Sequence, residues 1–281
     1  MTDRNLPPYF ADSLPGRAGW PIGLAHRGAD VQRENTMGAV REAVEQGFGY
    51  IEIDVRTSAD GKVVVFHDEQ LDRITTGTGR LSHYTWDELS TETVLGPQPR
   101  HEQVSEPLVL FEHLLETFPN TRFNVDLKDR ASAAPMAEIL RRHRAWDRVL
   151  IAAFRDSHRR LFFDHIQAED HTVASSAGSE SVAQLLLAHR LGRFTQTVRR
   201  LRQRLPLHAL QVPVRQGWIR VVTKRFVDAC HRAGIAVHVW VVNEQEEMER
   251  LLAMGVDGLV TDNGADIAEV LAARGQWPQR L

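Results

Sequence analysis

The chain has 281 residues, of which 42% are hydrophobic and 7% aromatic, with one cysteine and a formal net charge of −3. That length accommodates one large α/β barrel or two smaller domains. The charge offers no electrostatic case for binding nucleic acid or an anionic membrane surface, and a lone Cys230 excludes an intrachain disulfide. Residues 1–20 read as a polar N-terminal arm carrying Pro7-Pro8 and Pro15-Gly16, with no apolar run fit for a signal peptide. No later segment is apolar for long enough to span a bilayer, so a cytoplasmic protein without an integral membrane segment is expected.

Ile22 to Ala25 reads as a short buried strand, and Glu34-Asn35-Thr36 leads into a helix that ends at Gly47. Asn35 either caps that helix or contacts a ligand. Tyr50 to Val55 is the second strand; Asp60-Gly61 is a tight turn before a further extended run, Lys62 to Phe66. Periodicity then weakens, and residues 69–106 read as a loop-rich insertion with a job, such as covering a site. Within it, Trp86 to Leu89 is one helical turn; His83, His101 and His113 read as surface residues of the insertion and the helix after it. Strands starting near 123, 149, 172, 209, 236 and 258 follow, each trailed by a helix. Cys230 falls in one of these helices and reads as a small core residue. Leu191 to Leu207 has no firm assignment beyond a solvated helix bearing Arg199, Arg200 and Arg202. Eight strands alternating with helices predict a TIM-type (β/α)8 barrel over residues 21–275, with the insertion after the second strand. No GxGxxG follows the first strand, which removes the main dinucleotide-binding alternative.

The second strand carries the first chemical signal. Side chains alternate across a strand, so Glu52 and Asp54 share one face and Ile51, Ile53 and Val55 the other. Two readings stay open from that strand alone. Either the acidic face meets water on a half-exposed strand, or a cation lies between the two carboxylates.

The segments His26-Arg27-Gly28, Glu34-Asn35-Thr36, Glu52-x-Asp54-Val55, Asp60-Gly61 and His67-Asp68, in that order, resemble the signature of the glycerophosphodiester phosphodiesterase family. Trp240-Val-Val-Asn243 and Gly255-Val-Asp257-Gly258-Leu-Val-Thr261-Asp262 continue the likeness, which runs from about Ile22 to Asp262 and is weakest between Ser157 and Leu207. The resemblance implies a TIM-type barrel, a divalent cation, and two histidines, here His26 and His67, acting as acid and base. It also implies a small-molecule glycerophosphodiester substrate, cleaved to glycerol phosphate and an alcohol, with the substrate's own hydroxyl attacking first through a cyclic phosphate. Asp126 stands where the family usually has Glu; one methylene shorter, it draws the metal closer or ligates through water.

Barrels of this kind place chemistry at the C-terminal ends of their strands. There the chain brings His26 and Arg27, Glu52 and Asp54, Asn124, Asp126 and Lys128, then His238, Trp240 and Asn243, and Thr261-Asp262. Glu52, Asp54 and Asp126 form a set of hard oxygen ligands suited to one Mg2+ or Ca2+. His26 and His67 suit proton transfer, the usual work of an imidazole beside a hard-cation site. Arg27 presents a planar fork to phosphate oxygens. Lys128 either meets phosphate or pairs with Asp126 or Glu52. Gly28 lets the backbone turn after the strand, and Trp240 either packs the barrel or, with Phe154, walls the site. Asn243 is assigned to substrate by the resemblance alone. Three other functions fit parts of this pattern. A lysophospholipase D-like activity on lipids needs an apolar collar, for which Tyr84, Trp86, Leu89 and Leu95 are candidates. A catalytically silent barrel binding a phosphorylated metabolite is a second. A two-carboxylate glycosidase is weaker, because Glu52 and Asp54 come from one strand.

Overall fold

A computed structural model describes residues 7–10, 21–97, 105–166 and 173–279. Eight parallel strands form the frame: β1 (Ile22–His26), β2 (Tyr50–Thr57), β3 (Arg122–Leu127), β4 (Val149–Ala152), β5 (Ala174–Ser175), β6 (Ala209–Pro213), β7 (Ala236–Trp240) and β8 (Gly258–Thr261). They pair in the order β5-β4-β3-β2-β1-β8-β7-β6. A parallel bridge between Ser176 and Ala209 joins the two ends, with the Ala177 amide donating to the Ala209 carbonyl at 3.0 Å. The predicted (β/α)8 barrel is therefore the observed fold. The expected strand start at residue 172 lies outside the described residues.

Burial follows the two-sided character of barrel strands. Isoleucines 51 and 53 and valines 55 and 125 point outward into a continuous layer beneath the helices, whereas Leu24, Tyr50, Leu150 and Val260 fill the interior. Tyr9 and Phe10, both fully buried, join that interior cluster, and Tyr50 Oη donates to the Tyr9 carbonyl at 3.3 Å. So the N-terminal arm, expected to be merely polar, supplies a plug to the barrel at the end where β2 begins. At the other terminus, Gln279 donates to the Pro21 carbonyl at 2.8 Å and accepts from the Gly23 amide at 2.9 Å. Residues beyond 275 thus belong to the same packed unit.

The stretch without assignment holds a helix, Phe194–Arg202, that buries Phe194, Val198 and Leu201. Its Arg202 is tied to the carbonyls of Leu207, Ala233 and Gly234, so it braces a helix terminus besides meeting solvent. The described part of the insertion has a small core of its own, with Leu71, Ile74, Leu81, Leu89 and Val94 packed on Val64 and Phe66. Its helical turn, Trp86–Leu89, is closed by a capping box between Thr85 and Glu88. His83 and His113 are exposed as expected, and His101 lies outside the described residues. Cys230 is fully buried. Among the described residues no helix is long and apolar enough to cross a membrane.

Candidate active site

β1 ends at His26 and the chain turns at once. Arg27 (φ 52°), Gly28 (φ 92°), Ala29 (φ 56°) and Asn35 (φ 63°) all sit in the left-handed region, at a cost of about 1 kcal/mol or more for each non-glycine residue. Gly28 is required, because a Cβ there would stand 2.7 Å from the Ala39 Cβ. The loop is held by the Arg27 amide donating to the Glu52 carbonyl at 2.8 Å, and the Asn35 amide to the Arg27 carbonyl at 2.9 Å. Thr36, not Asn35, caps the first helix, its hydroxyl accepting from the Ala39 amide at 3.2 Å. Asn35 reaches Asp54 instead: Nδ2 donates to Oδ2 at 3.0 Å, and Oδ1 accepts from the Asp54 amide at 3.2 Å.

Strand register assembles the carboxylates. His26 lies beside Glu52, Glu52 beside Asn124, and Asp54 beside Asp126. β2 is paired on both sides, so the reading of Glu52 and Asp54 as exposed edge charges fails; they are 8% and 1% exposed. Lys128 Nζ stands 2.8 Å from Asp54 Oδ1 and 2.7 Å from Asp126 Oδ2, so its ion pairs are with the two aspartates and not with Glu52. Arg27 Nη1 donates to Glu34 at 3.0 Å; its Nε lies 2.9 Å from Asp54 Oδ2 but is not aligned as a hydrogen bond, so that contact is ionic. Burial and the neighbouring Asp54 charge push the Glu52 carboxyl well above the usual range. Burial also works against the Asp54 charge, but Lys128 and Arg27 outweigh it and hold that carboxyl well below its ordinary value.

Among the described residues, no three His, Cys, Asp or Glu side chains stand close enough to ligate one ion as they are. The donor chemistry nevertheless fits a hard cation. Asp126 Oδ1 is buried without a hydrogen-bond partner, and the contact of the Arg27 amide with Glu52 Oε2 is long, at 3.4 Å. A carboxylate oxygen buried without a partner of its own is costly, and a hard cation is the group that would satisfy it.

Both histidines are held the same way. His26 Nδ1 donates to Asp262 Oδ1 at 2.6 Å, and His67 Nδ1 to Asp68 Oδ1 at 2.6 Å, which leaves both Nε2 atoms free of those bonds. His26 Nε2 lies 3.9 Å from Glu52. Burial lowers the His26 pKa, but the Asp262 bond and the Glu52 charge overcome it and the net shift is upward. His67 is delivered by the antiparallel strand Val63–Val65, anchored where the Phe66 amide donates to the Asp54 carbonyl at 2.9 Å.

One cavity of about 680 Å³ is lined by His26, Arg27, Glu52, Asp54, His67, Asp126, Lys128 and Trp240. Of the nine residues singled out from sequence for the site, eight are therefore brought together. Asn243 is not in that lining: its Oδ1 accepts from Thr261 Oγ1 at 3.0 Å and the Asp262 amide at 2.9 Å, and its Nδ2 donates to Asp262 Oδ2 at 3.0 Å. It stands behind His26 through Asp262. Trp240 is 40% exposed and forms wall, not core. His238, on the same strand face, is fully buried in the barrel and away from the mouth.

The opposite wall is apolar, formed by Phe154, Val182, Leu186, Val212, Val221 and Val241. A collar exists, but not from the insertion, whose Tyr84 and Trp86 pack on its own core. The insertion contributes Arg73 instead. Its guanidinium donates to Glu34 at 2.5 and 3.1 Å and also binds Asp68, linking the Arg27 and His67 sides of the site. Nothing in the sequence marks Arg73, which lies in an aperiodic loop. Asp68 and Asp262 were visible only as the last residues of their motifs.

The Glycerophosphoryl diester phosphodiesterase family matches residues 26–265. A Mycobacterium tuberculosis protein named "Probable glycerophosphodiester phosphodiesterase 2" is 35% identical over 93% of this chain and 94% of its own length. Among solved structures, a Silicibacter pomeroyi protein superposes with a TM-score of 0.76 at 21% identity, covering 96% of this chain and 98% of that one. An Oleispira antarctica phosphodiesterase, solved in complex with the product sn-glycerol-3-phosphate, superposes with a TM-score of 0.72 at 20% identity, covering 92% and 99%.

Proposed function

The chain belongs to the glycerophosphoryl diester phosphodiesterase family, and on that footing we propose that its barrel mouth cleaves a glycerophosphodiester to glycerol phosphate and an alcohol, using His26 and His67 as the acid–base pair. The observation that carries this reading is the pair of Asp-backed imidazoles lining one cavity with three inward carboxylates. A carboxylate on Nδ1 fixes each ring's orientation and tautomer, and leaves Nε2 to take a proton from the attacking hydroxyl or give one to the leaving alkoxide. Glu52, Asp54 and Asp126 would hold one divalent cation, Mg2+ or Ca2+, which when bound offsets the charge on the phosphate. Lys128 and Arg27 line the same cavity as cations whose aspartate partners are those very ligands. With those carboxylates engaged by an ion, Lys128, and Arg27 beyond its bond to Glu34, would be available to phosphate oxygens. Asn243 acts through Asp262 on His26, while Trp240 packs against the alcohol or glycerol moiety.

A second reading, lysophospholipase D-like cleavage of a lipid phosphodiester, is favoured by one observation, the apolar wall running from Phe154 to Val241. The test is release of glycerol phosphate from glycerophosphocholine by the purified chain, beside choline release from lysophosphatidylcholine micelles. The main reading expects the first to be faster. No hydrolysis of either, with divalent cation bound, would point instead to a silent phosphometabolite-binding barrel.

A further inference from the structure

β6 runs out at the catalytic face into a small antiparallel hairpin, in which Arg215 pairs with Arg220 and Gln216 with Ile219. Residues 215–220 are all exposed, and the turn carries Trp218 at 99% exposure, with Ile219 at 46%. A Cβ added at Gly217 would meet nothing within 4 Å, so the turn projects away from the body. An indole held fully in water at a hairpin tip is the arrangement that a folded core does not explain. The hairpin's own charged residues, Arg215 and Arg220, are both basic. Arg215, Arg220, Lys224 and Arg225 are exposed, and no Asp or Glu occurs between Leu205 and Val227. Lys224 is paired with Asp228, and Arg220 feels the charge of Glu247; the remaining cations face solvent. The formal charge of −3 averages this patch away. The hairpin is also continuous with the site, because Gln216 and Val221 line the cavity on its apolar side, where Phe154 is 70% exposed.

We propose that the hairpin Arg215–Arg220 docks the chain on an anionic phospholipid surface, with Trp218 and Ile219 at the headgroup level and the arginines on lipid phosphates. Indoles favour that interface, and basic residues near it are drawn to the anionic headgroups. A second copy of the chain fits less well, since a two-fold contact through this patch sets Arg215 and Arg220 against like charges. The inference deepens the function proposed above, because docking would set the apolar wall of the cavity towards lipid. Its test is decided by vesicle binding, so the two stand or fall separately.

The experiment is co-sedimentation of the full chain with vesicles of phosphatidylcholine, alone or mixed with phosphatidylglycerol, together with tryptophan emission. Expected are binding to the mixed vesicles with a blue shift, release by salt, and weak binding to phosphatidylcholine alone. Trp218→Ser and the pair Arg215→Gln, Arg220→Gln should each lose ~10-fold in vesicle affinity, with glycerophosphocholine turnover unchanged. Equal binding by these variants, no binding by the parent chain, or indifference to phosphatidylglycerol would overturn the proposal. So would a concentration-dependent dimer that Trp218→Ser abolishes.

Discussion

At the residue scale, His26 and His67 have the same kind of support from different sources. Asp68 is the neighbour of His67 in sequence, whereas Asp262 reaches His26 from the far end of the chain and is itself positioned by Asn243. His26→Ala and His67→Ala should each lower turnover ~10²-fold or more while leaving the circular dichroism spectrum intact; near-normal rates in either variant would count against the assignment. Asp262→Asn keeps the shape but removes the charge behind His26. Its kcat should fall on the order of 10-fold with KM little changed, and the pH–rate profile should move on the limb that His26 controls. A profile identical to the parent would make Asp262 merely structural. The inward acids and the two histidines were legible in the sequence because strand alternation and strand ends decide where side chains go. Arg73 was not: its contacts with Glu34 and Asp68 exist only once the insertion folds back.

At the element scale, β7 carries one imidazole kept neutral, His238, and β6 follows directly on another, His208. Burial pushes His238 down to about 4, and burial with the Arg202 and Arg159 charges pushes His208 down to about 4. The Ser175 amide donates to His208 Nδ1 at 3.1 Å, as a neutral ring requires. Both folded values lie below that of an unfolded His, near 6.5. As pH falls from about 6.5 towards 4, the unfolded chain therefore takes up protons that the folded chain refuses, and stability falls. Each unit of separation corresponds to about 1.4 kcal/mol per group. His238→Leu removes one of the two, so its melting temperature should depend less steeply on pH across that window; an unchanged slope would refute the account of His238. Helices and strands were readable by their period, but the hairpin Arg215–Arg220 was not, because two-residue strands leave too little pattern to recognise.

On the scale of the whole molecule, the two ends of the barrel are divided between stability and chemistry. Tyr9 and Phe10 plug one end, and the strand termini at the other carry every side chain of the proposed reaction. Phe10→Ala should cost ~3–5 kcal/mol of stability, lowering the melting temperature while kcat per folded molecule stays the same. A matching loss of kcat would mean the ends are coupled. The barrel itself was legible from eight alternating strands and helices. Its plug was hidden, since a polar arm gives no sign of two aromatics bound for the interior. The central claim is that carboxylates from β2 and β3 trap a divalent ion between the two imidazoles. Anomalous scattering from crystals grown with Mn2+ tests it most directly. The account predicts one peak bonded to Glu52 and Asp54, with Asp126 direct or through water, and Lys128 drawn off the aspartates. A peak elsewhere, or full turnover with that position empty, would contradict it.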